Sequence, residues 1–124
     1  FERGGRVQYV DAGHGHVRIR RGDALVPIAD RRATTPAGLR FSAGFEPGHL
    51  TLAPGEQLLL WSDGLVEQAG ADGAPFGEAG VARAVAGTPS DPAGVVEALT
   101  AALARFRGGI ARTDDVTVAA VDLA

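Results

Sequence analysis

The first half of the chain consists of short segments in which apolar and polar residues alternate. Val7–Val10 and Val17–Arg20 alternate with period two, which predicts two strands, and the glycine-rich stretch 11–16 between them favours a hairpin. Ala24–Ile28 predicts a further strand after the next turn. Its Pro27 places that strand at a sheet edge or a strand end, because proline cannot donate to the ladder.

The middle of the chain changes from loop to a clear strand pattern. Residues 29–48 have little periodicity and are predicted to be mostly loop, with a short strand at Leu39–Ser42. Residues 49–52 alternate again, and Ala53–Glu56 has the composition of a turn. The continuous apolar run Gln57–Trp61 is typical of a strand covered on both faces.

The last third predicts two helices and a final strand. A short helix is expected from about Glu78 to Ala86, and a longer one opens at Ser90 or Asp91 with Pro92 in its first turn. Gly108-Gly109 ends the longer helix. Its apolar residues recur at three- and four-residue steps and predict a core-facing side rather than a docking surface: Val95, Val96, Leu99, Leu103 and Phe106. The run Val116–Val121 predicts a buried strand.

Composition narrows the class of protein. The 124 residues include 12 basic side chains, all arginine, and 15 acidic ones, giving a net charge of −3. This acidic balance argues against a nucleic-acid partner, which requires a basic surface. The chain has no cysteine, so any metal must be held by oxygen or imidazole. No apolar run reaches the roughly 18 residues of a membrane span, so we expect a cytoplasmic domain.

Two acidic sites stand at the ends of the best-defined strands. Asp63 follows the run Gln57–Trp61, and the pair Asp114-Asp115 precedes the run Val116–Val121. If these strands are antiparallel neighbours, their ends converge. Carboxylates without histidine or cysteine suit a hard cation such as Mg²⁺ or Mn²⁺. The alternative is that these aspartates only stabilise turns by hydrogen-bonding nearby amides.

Histidines and arginines offer other, weaker candidates. His14 and His16 lie on the same side of an extended segment and suit zinc, but a zinc site needs a further ligand and His49 is the one remaining histidine. The pairs Arg20-Arg21 and Arg31-Arg32 suit an acidic partner or a phosphate, or simply supply solubility.

Nucleophilic and nucleotide-binding signatures are weaker still. A triad of Ser42 or Ser62 with His14 and Asp11 lacks the Gly-x-Ser-x-Gly elbow. The phosphate-binding loop Gly-x-x-x-x-Gly-Lys is excluded because the chain has no lysine.

Four motifs, in order, carry a family resemblance. They are YVDAGH at Tyr9–His14, LAPGEQLLLWSDGLVE at Leu52–Glu67, DG and FG at 72–73 and 76–77, and RTDDVT at Arg112–Thr117. Together they resemble the C-terminal half of bacterial SpoIIE-type serine/threonine protein phosphatases of the PPM class. The strings of that family are close to YVNAGH, L-PGD-LLLYTDGVTEA, G--FG and DDIT.

The resemblance implies an α+β fold, an antiparallel β-sandwich flanked by helices, with residues 1–124 as the C-terminal part of the domain. It implies a two-metal site for Mn²⁺ or Mg²⁺ and hydrolysis of phosphoserine or phosphothreonine by a metal-activated water. Asp63 matches a metal-binding aspartate of the family, and Asp114 matches the aspartate that opens the last strand. Asp115 and Gly64 are then expected to support the site, and Glu67 to anchor the turn.

The resemblance also implies a biological setting. The expected substrate is a phosphorylated anti-anti-sigma protein of the STAS type, so that the enzyme would couple a signal to sigma-factor release. Fused sensor domains and a homodimer are compatible with this setting.

The sequence departs from the family at the metal site. The first metal-binding aspartate of the family lies in an upstream segment that has no counterpart here, and Asp11 stands where the family usually has asparagine. We therefore expect residues 1–124 alone to be a weak or inactive phosphatase. The alternatives are a phosphatase-like module that only binds a partner, an inactive fragment, or a structural domain whose aspartates form turns.

Overall fold

The computed structural model describes residues 4–28, 36, 38 and 45–123. Within these residues the chain forms six strands and three helices: β1 Arg6–Tyr9, β2 Val17–Arg21, β3 Ala24–Pro27, β4 Gly48–Thr51, β5 Gln57–Trp61, α1 Asp63–Glu67, α2 Gly77–Val85, α3 Pro92–Arg107 and β6 Val118–Val121. None of the helices in the described part is long and apolar enough to cross a membrane.

The strands form two antiparallel sheets, as the α+β interpretation predicts. One has two strands, β1 and β4, and the other has four in the order β3-β2-β5-β6. The predicted hairpin between Val7–Val10 and Val17–Arg20 is wrong, because β1 pairs with β4 and β2 lies between β3 and β5. The connecting loop is instead held by the Asp11 carboxylate, which accepts hydrogen bonds from the amides of His14 and Gly15.

The second predicted pair is confirmed. β2 and β3 form an antiparallel hairpin, and Pro27 ends β3 at the edge of the four-stranded sheet. At this edge the missing N–H of proline leaves no ladder bond unmade. The strand predicted at Leu39–Ser42 lies outside the described residues.

The two predicted helices are confirmed with small shifts at their ends. The carboxylate of Asp91 caps α3 by accepting from the amide of Gly94 at 2.7 Å, and Pro92 occupies the first turn. Gly108, with φ of 55°, ends the helix. The five-residue helix α1 was not predicted, because one turn is too short to show helical periodicity.

The four-stranded sheet separates two hydrophobic clusters. Along β5, Leu59 and Trp61 pack against the helices, whereas Leu58 packs on the other side with Val7 of β1. The continuous apolar run therefore forms a strand covered on both faces, as predicted. The apolar side of α3 lies in the core through Val95, Leu99 and Leu103.

The final strand is shorter and more open than the pattern predicts. β6 begins at Val118 instead of Val116, Ala119 is exposed, and the other residues of the strand are half-buried. The reason is position: β6 is an edge strand, and within the described residues it pairs with β5 alone.

One buried arginine joins the sheet to the helices. Arg20 is only 4% exposed, and its guanidinium donates to the carbonyls of Gly22, Val85, Thr88 and Pro89 and to the side-chain oxygen of Gln57. Its guanidinium therefore joins the sheet to the carbonyl of the last residue of α2 and to two carbonyls just beyond the helix, where a positive charge also complements the helix dipole. Neither an anion-binding nor a solubilising role fits Arg20.

The neighbouring arginines differ from Arg20. Arg21 is half-exposed and pairs with Glu56 at 2.6 Å. Arg31 and Arg32 lie outside the described residues.

We expect Arg20→Met to lower the free energy of unfolding by about 3 kcal/mol, because it keeps an apolar stem and leaves several buried acceptors unpaired. Urea denaturation measures this loss. Arg21→Met is the matched control and should cost less than about 1 kcal/mol, since it removes one exposed ion pair. Equal losses in the two variants would contradict the buried-cap role of Arg20.

Candidate metal site at the ends of β5 and β6

The pairing of β5 with β6 brings the candidate aspartates to one end of the sheet. The two strands are antiparallel, with Trp61 opposite Val118. Asp63 follows the end of β5 and Asp114 precedes the start of β6, so both lie at the same end of the sheet. Both residues are exposed. The ends of β5 and β6 therefore converge, as the hypothesis of a shared site requires.

Ser62 joins the two chain segments beyond the end of the ladder. Its amide donates to the carbonyl of Thr117 at 3.0 Å, and its Oγ accepts from the amide of Thr117 at 2.9 Å. The same hydroxyl donates to the carbonyl of Asp115 at 3.1 Å. The sequence suggested Ser62 only as a nucleophile, whereas its hydroxyl is engaged in fixing the strand ends.

Gly64 allows the two aspartate turns to pack directly on each other. A Cβ at this position would overlap the carbonyl oxygen of Asp115 and lie 3.3 Å from the Cβ of Asp114. Gly64 itself is buried. A residue without a side chain is therefore required where the Asp63 turn meets the Asp114 turn.

Each candidate carboxylate has one oxygen engaged locally. Asp63 Oδ1 accepts from the amide of Gly64 at 2.9 Å, and Asp114 Oδ1 accepts from the amide of Asp115 at 2.7 Å. Within the described residues, the second oxygen of each makes no hydrogen bond. Each of these bonds is to the amide of the next residue, and each leaves the second carboxylate oxygen available to a ligand.

The donor set fits part of a divalent-cation site. Carboxylate oxygens are the ligands that Mg²⁺ and Mn²⁺ prefer, and six or so are needed to fill the coordination sphere. The described part of the chain contains no group of three or more histidine, cysteine, aspartate or glutamate residues arranged to hold a metal. Asp63 and Asp114 can therefore contribute to such a site but do not complete it.

The histidines lie elsewhere and pack as aromatic rings. The rings of His14 and His16 meet edge to face at 5.7 Å, and His16 lies 6.5 Å from Trp61. His49 is on β4, opposite Gln8. Asp11 caps its own loop, as described above, so the structure gives it no role in a triad.

Sequence reasoning missed Gln68 near this site. Its side chain is fully buried, and it contacts the segment that leads to Asp114. A single glutamine between Glu67 and Ala69 gives no pattern that separates it from a surface residue.

A family model identifies the protein family to which the chain is similar. The family model for Stage II sporulation protein E (SpoIIE) matches residues 1–124. No curated protein matches the chain in sequence.

Solved phosphatase structures share the fold. The PP2C phosphatase domain of the cell fate determinant SpoIIE from Bacillus subtilis, solved with a fragment of its regulatory domain, is 23% identical with a TM-score of 0.76, covering 95% of this chain and 33% of that one. The Mn-presoaked phosphatase domain of the same protein is 22% identical with a TM-score of 0.70, covering 96% and 51%. The RsbU and RsbW domains of a Mycobacterium tuberculosis protein are 24% identical with a TM-score of 0.61, covering 95% and 32%.

The matched region is thus a third to a half of each solved chain. At identities below 25% these structures establish the fold alone. The family model establishes the family membership. Because that model spans every residue, the chain belongs to the SpoIIE family and forms part of a PP2C-type (PPM) phosphatase fold.

Proposed function

We propose that this chain is part of a metal-dependent protein serine/threonine phosphatase in which Asp63 and Asp114 hold a divalent cation. The observation that carries the proposal is the direct packing of the Asp63-Gly64 turn on the Asp114-Asp115 turn. The two turns that carry these aspartates come from separate parts of the sequence and are packed together there. Membership of the SpoIIE family and the fold of PP2C phosphatase domains support this role.

The residues of the site suit the hydrolysis of a phosphoprotein. Asp63 and Asp114 are exposed at one end of the sheet, so a phosphorylated side chain of another protein can approach them. Mn²⁺ or Mg²⁺, when bound, supplies the positive charge that neutralises a phosphate and lowers the pKa of water. The carboxylates of this chain would bind and orient that charge. Gly64 would set their separation, and Asp115 would support the turn.

The complete domain would hold two metals, with the remaining ligands supplied from outside residues 1–124. Two protein carboxylates hold Mg²⁺ or Mn²⁺ weakly, because water fills most of the coordination sphere. We therefore expect residues 1–124 alone to bind metal weakly and to hydrolyse phosphorylated substrates slowly. We place them at the C-terminal part of the phosphatase domain, by the order of the family strings.

For the substrate we propose a phosphorylated anti-anti-sigma protein of the STAS type, dephosphorylated in the cytoplasm as part of sigma-factor signalling. The family resemblance supports this. One structural relative combines RsbU and RsbW domains, and another is a phosphatase domain with a fragment of a regulatory domain. Fused sensor domains and a homodimer are part of the same proposal.

The incomplete ligand set among the described residues favours one alternative. If no further carboxylate joins Asp63 and Asp114 in the full-length protein, the same fold would serve as a phosphatase-like module that binds a partner without hydrolysis. Metal dependence separates the two functions.

We expect the full-length protein to bind Mn²⁺, and Asp63→Asn and Asp114→Asn each to weaken the affinity at least about tenfold, since each removes a negatively charged ligand while keeping its size. Calorimetric titration measures the affinity, and turnover of a phosphoserine peptide should fall in parallel. Asp72→Asn is the matched control, because Asp72 is an exposed aspartate of another turn. Binding that survives both site substitutions would exclude the shared site.

A second test alters the separation of the two turns without touching a carboxylate. We expect Gly64→Ala to lower the free energy of unfolding by about 1–3 kcal/mol, because its methyl group overlaps the Asp115 carbonyl, and to weaken Mn²⁺ binding. Gly109→Ala is the control, since a Cβ there meets open space. Unfolding in urea and calorimetry give both quantities, and a Gly64→Ala protein with unchanged Mn²⁺ affinity would show that the separation is unimportant.

A further inference from the structure

Gln68 is a fully buried polar residue at the end of α1. Its Nε2 donates to the carbonyl of Ala69 at 3.0 Å and to that of Ala111 at 3.2 Å. Its Oε1 accepts from the amide of Thr113 at 3.4 Å. The carboxamide thus uses both its donor and its acceptor, and two of these bonds reach residues far along the chain.

The segment held by Gln68 is the one that carries Asp114. Residues 111–117 form neither helix nor strand, and residues 111–115 are exposed. Gln68 holds this segment on one side of Asp114, at Ala111 and Thr113. Ser62 holds it on the other side, at Asp115 and Thr117. Asp114 lies between the two points of attachment.

The residue that holds the segment is itself fixed to the core. The carbonyl of Gln68 accepts from the amide of the buried Phe76 at 2.9 Å. A bridge between Ala69 and Pro75 closes the loop that follows. Gln68 is therefore anchored to the same body that carries Asp63, and water cannot readily replace hydrogen bonds made by a buried amide.

We infer that Gln68 is a positioning residue for the metal site. Together with Ser62 it fixes the segment 111–117 and so sets the place of Asp114 beside Asp63. Neither assigned site carboxylate is touched by Gln68, so it acts through the backbone on either side of Asp114. In its effect on metal binding, the inference rests on the proposed function.

Gln57 provides a matched control away from the candidate site. It is also a buried glutamine, at the opposite end of β5, where its Nε2 donates to the carbonyl of Ser90 at 2.7 Å and its Oε1 accepts from Arg20. Glutamine to methionine at either position keeps the volume and removes the hydrogen bonds. Both variants should lose stability, but only one should disturb the site.

The experiment compares Gln68→Met and Gln57→Met with the unaltered full-length protein. In metal-free protein, amide exchange measured by NMR should be about tenfold faster at Thr113 in Gln68→Met and unchanged there in Gln57→Met. Calorimetric Mn²⁺ affinity should fall about tenfold in Gln68→Met alone. In Gln68→Met, saturating Mn²⁺ should restore the turnover rate for a phosphopeptide, and the KM for that peptide should equal that of the unaltered protein. General destabilisation would not give this combination.

The outcomes separate this inference from the proposed function. Thr113 exchange at the unaltered rate in Gln68→Met, or an equal loss of Mn²⁺ affinity in both variants, overturns the positioning role. If the unaltered protein binds no Mn²⁺, the phosphatase proposal fails, and the exchange rate at Thr113 still decides whether Gln68 holds the segment.

Discussion

The antiparallel pairing of β5 with β6 is the contact on which the candidate site depends. Trp61 lies opposite Val118, so the chain leaves β5 and enters β6 at the same end of the sheet. Asp63 and Asp114 are far apart in sequence, and this register is what makes them neighbours. A shift of one residue would turn alternate side chains of β6 to the wrong face and displace the turn that carries Asp114.

Polar side chains extend this strand frame at both ends of β5, buried ones at its start and the half-buried Ser62 at its end. At its start, Arg20 and Gln57 tie the sheet to the carbonyls that follow α2. At its end, Ser62 continues the pairing with Thr117 where β6 no longer forms a ladder. Arg20 and Gln57 have little access to water, so their hydrogen bonds hold the flanking loop in place.

Local patterns predicted local structure well, and they failed where partners are distant. The alternation at Val7–Val10 located a strand, but the same alternation fits any neighbour, so its pairing with β4 was missed. The cap at Asp91 was readable because capping acts within a few residues. Asp63 and Asp114 were proposed as site residues from strand ends and family strings. Gln68 was not, because its role arises from contacts with Ala111 and Thr113 that no local pattern records.

The contacts that hold the fold together are distinct from the carboxylates of the proposed metal site. Asp63 and Asp114 are exposed, so their charges remain hydrated and cost little in folding, and each has an amide partner in its own turn. The close approach of the two turns is held by Gly64 and Ser62, neither of which carries charge. The contacts that bring the two turns together are therefore uncharged. If a metal joins the two carboxylates, as proposed, it would bind to turns that uncharged residues already hold together, in contrast to sites that are assembled by the ion itself.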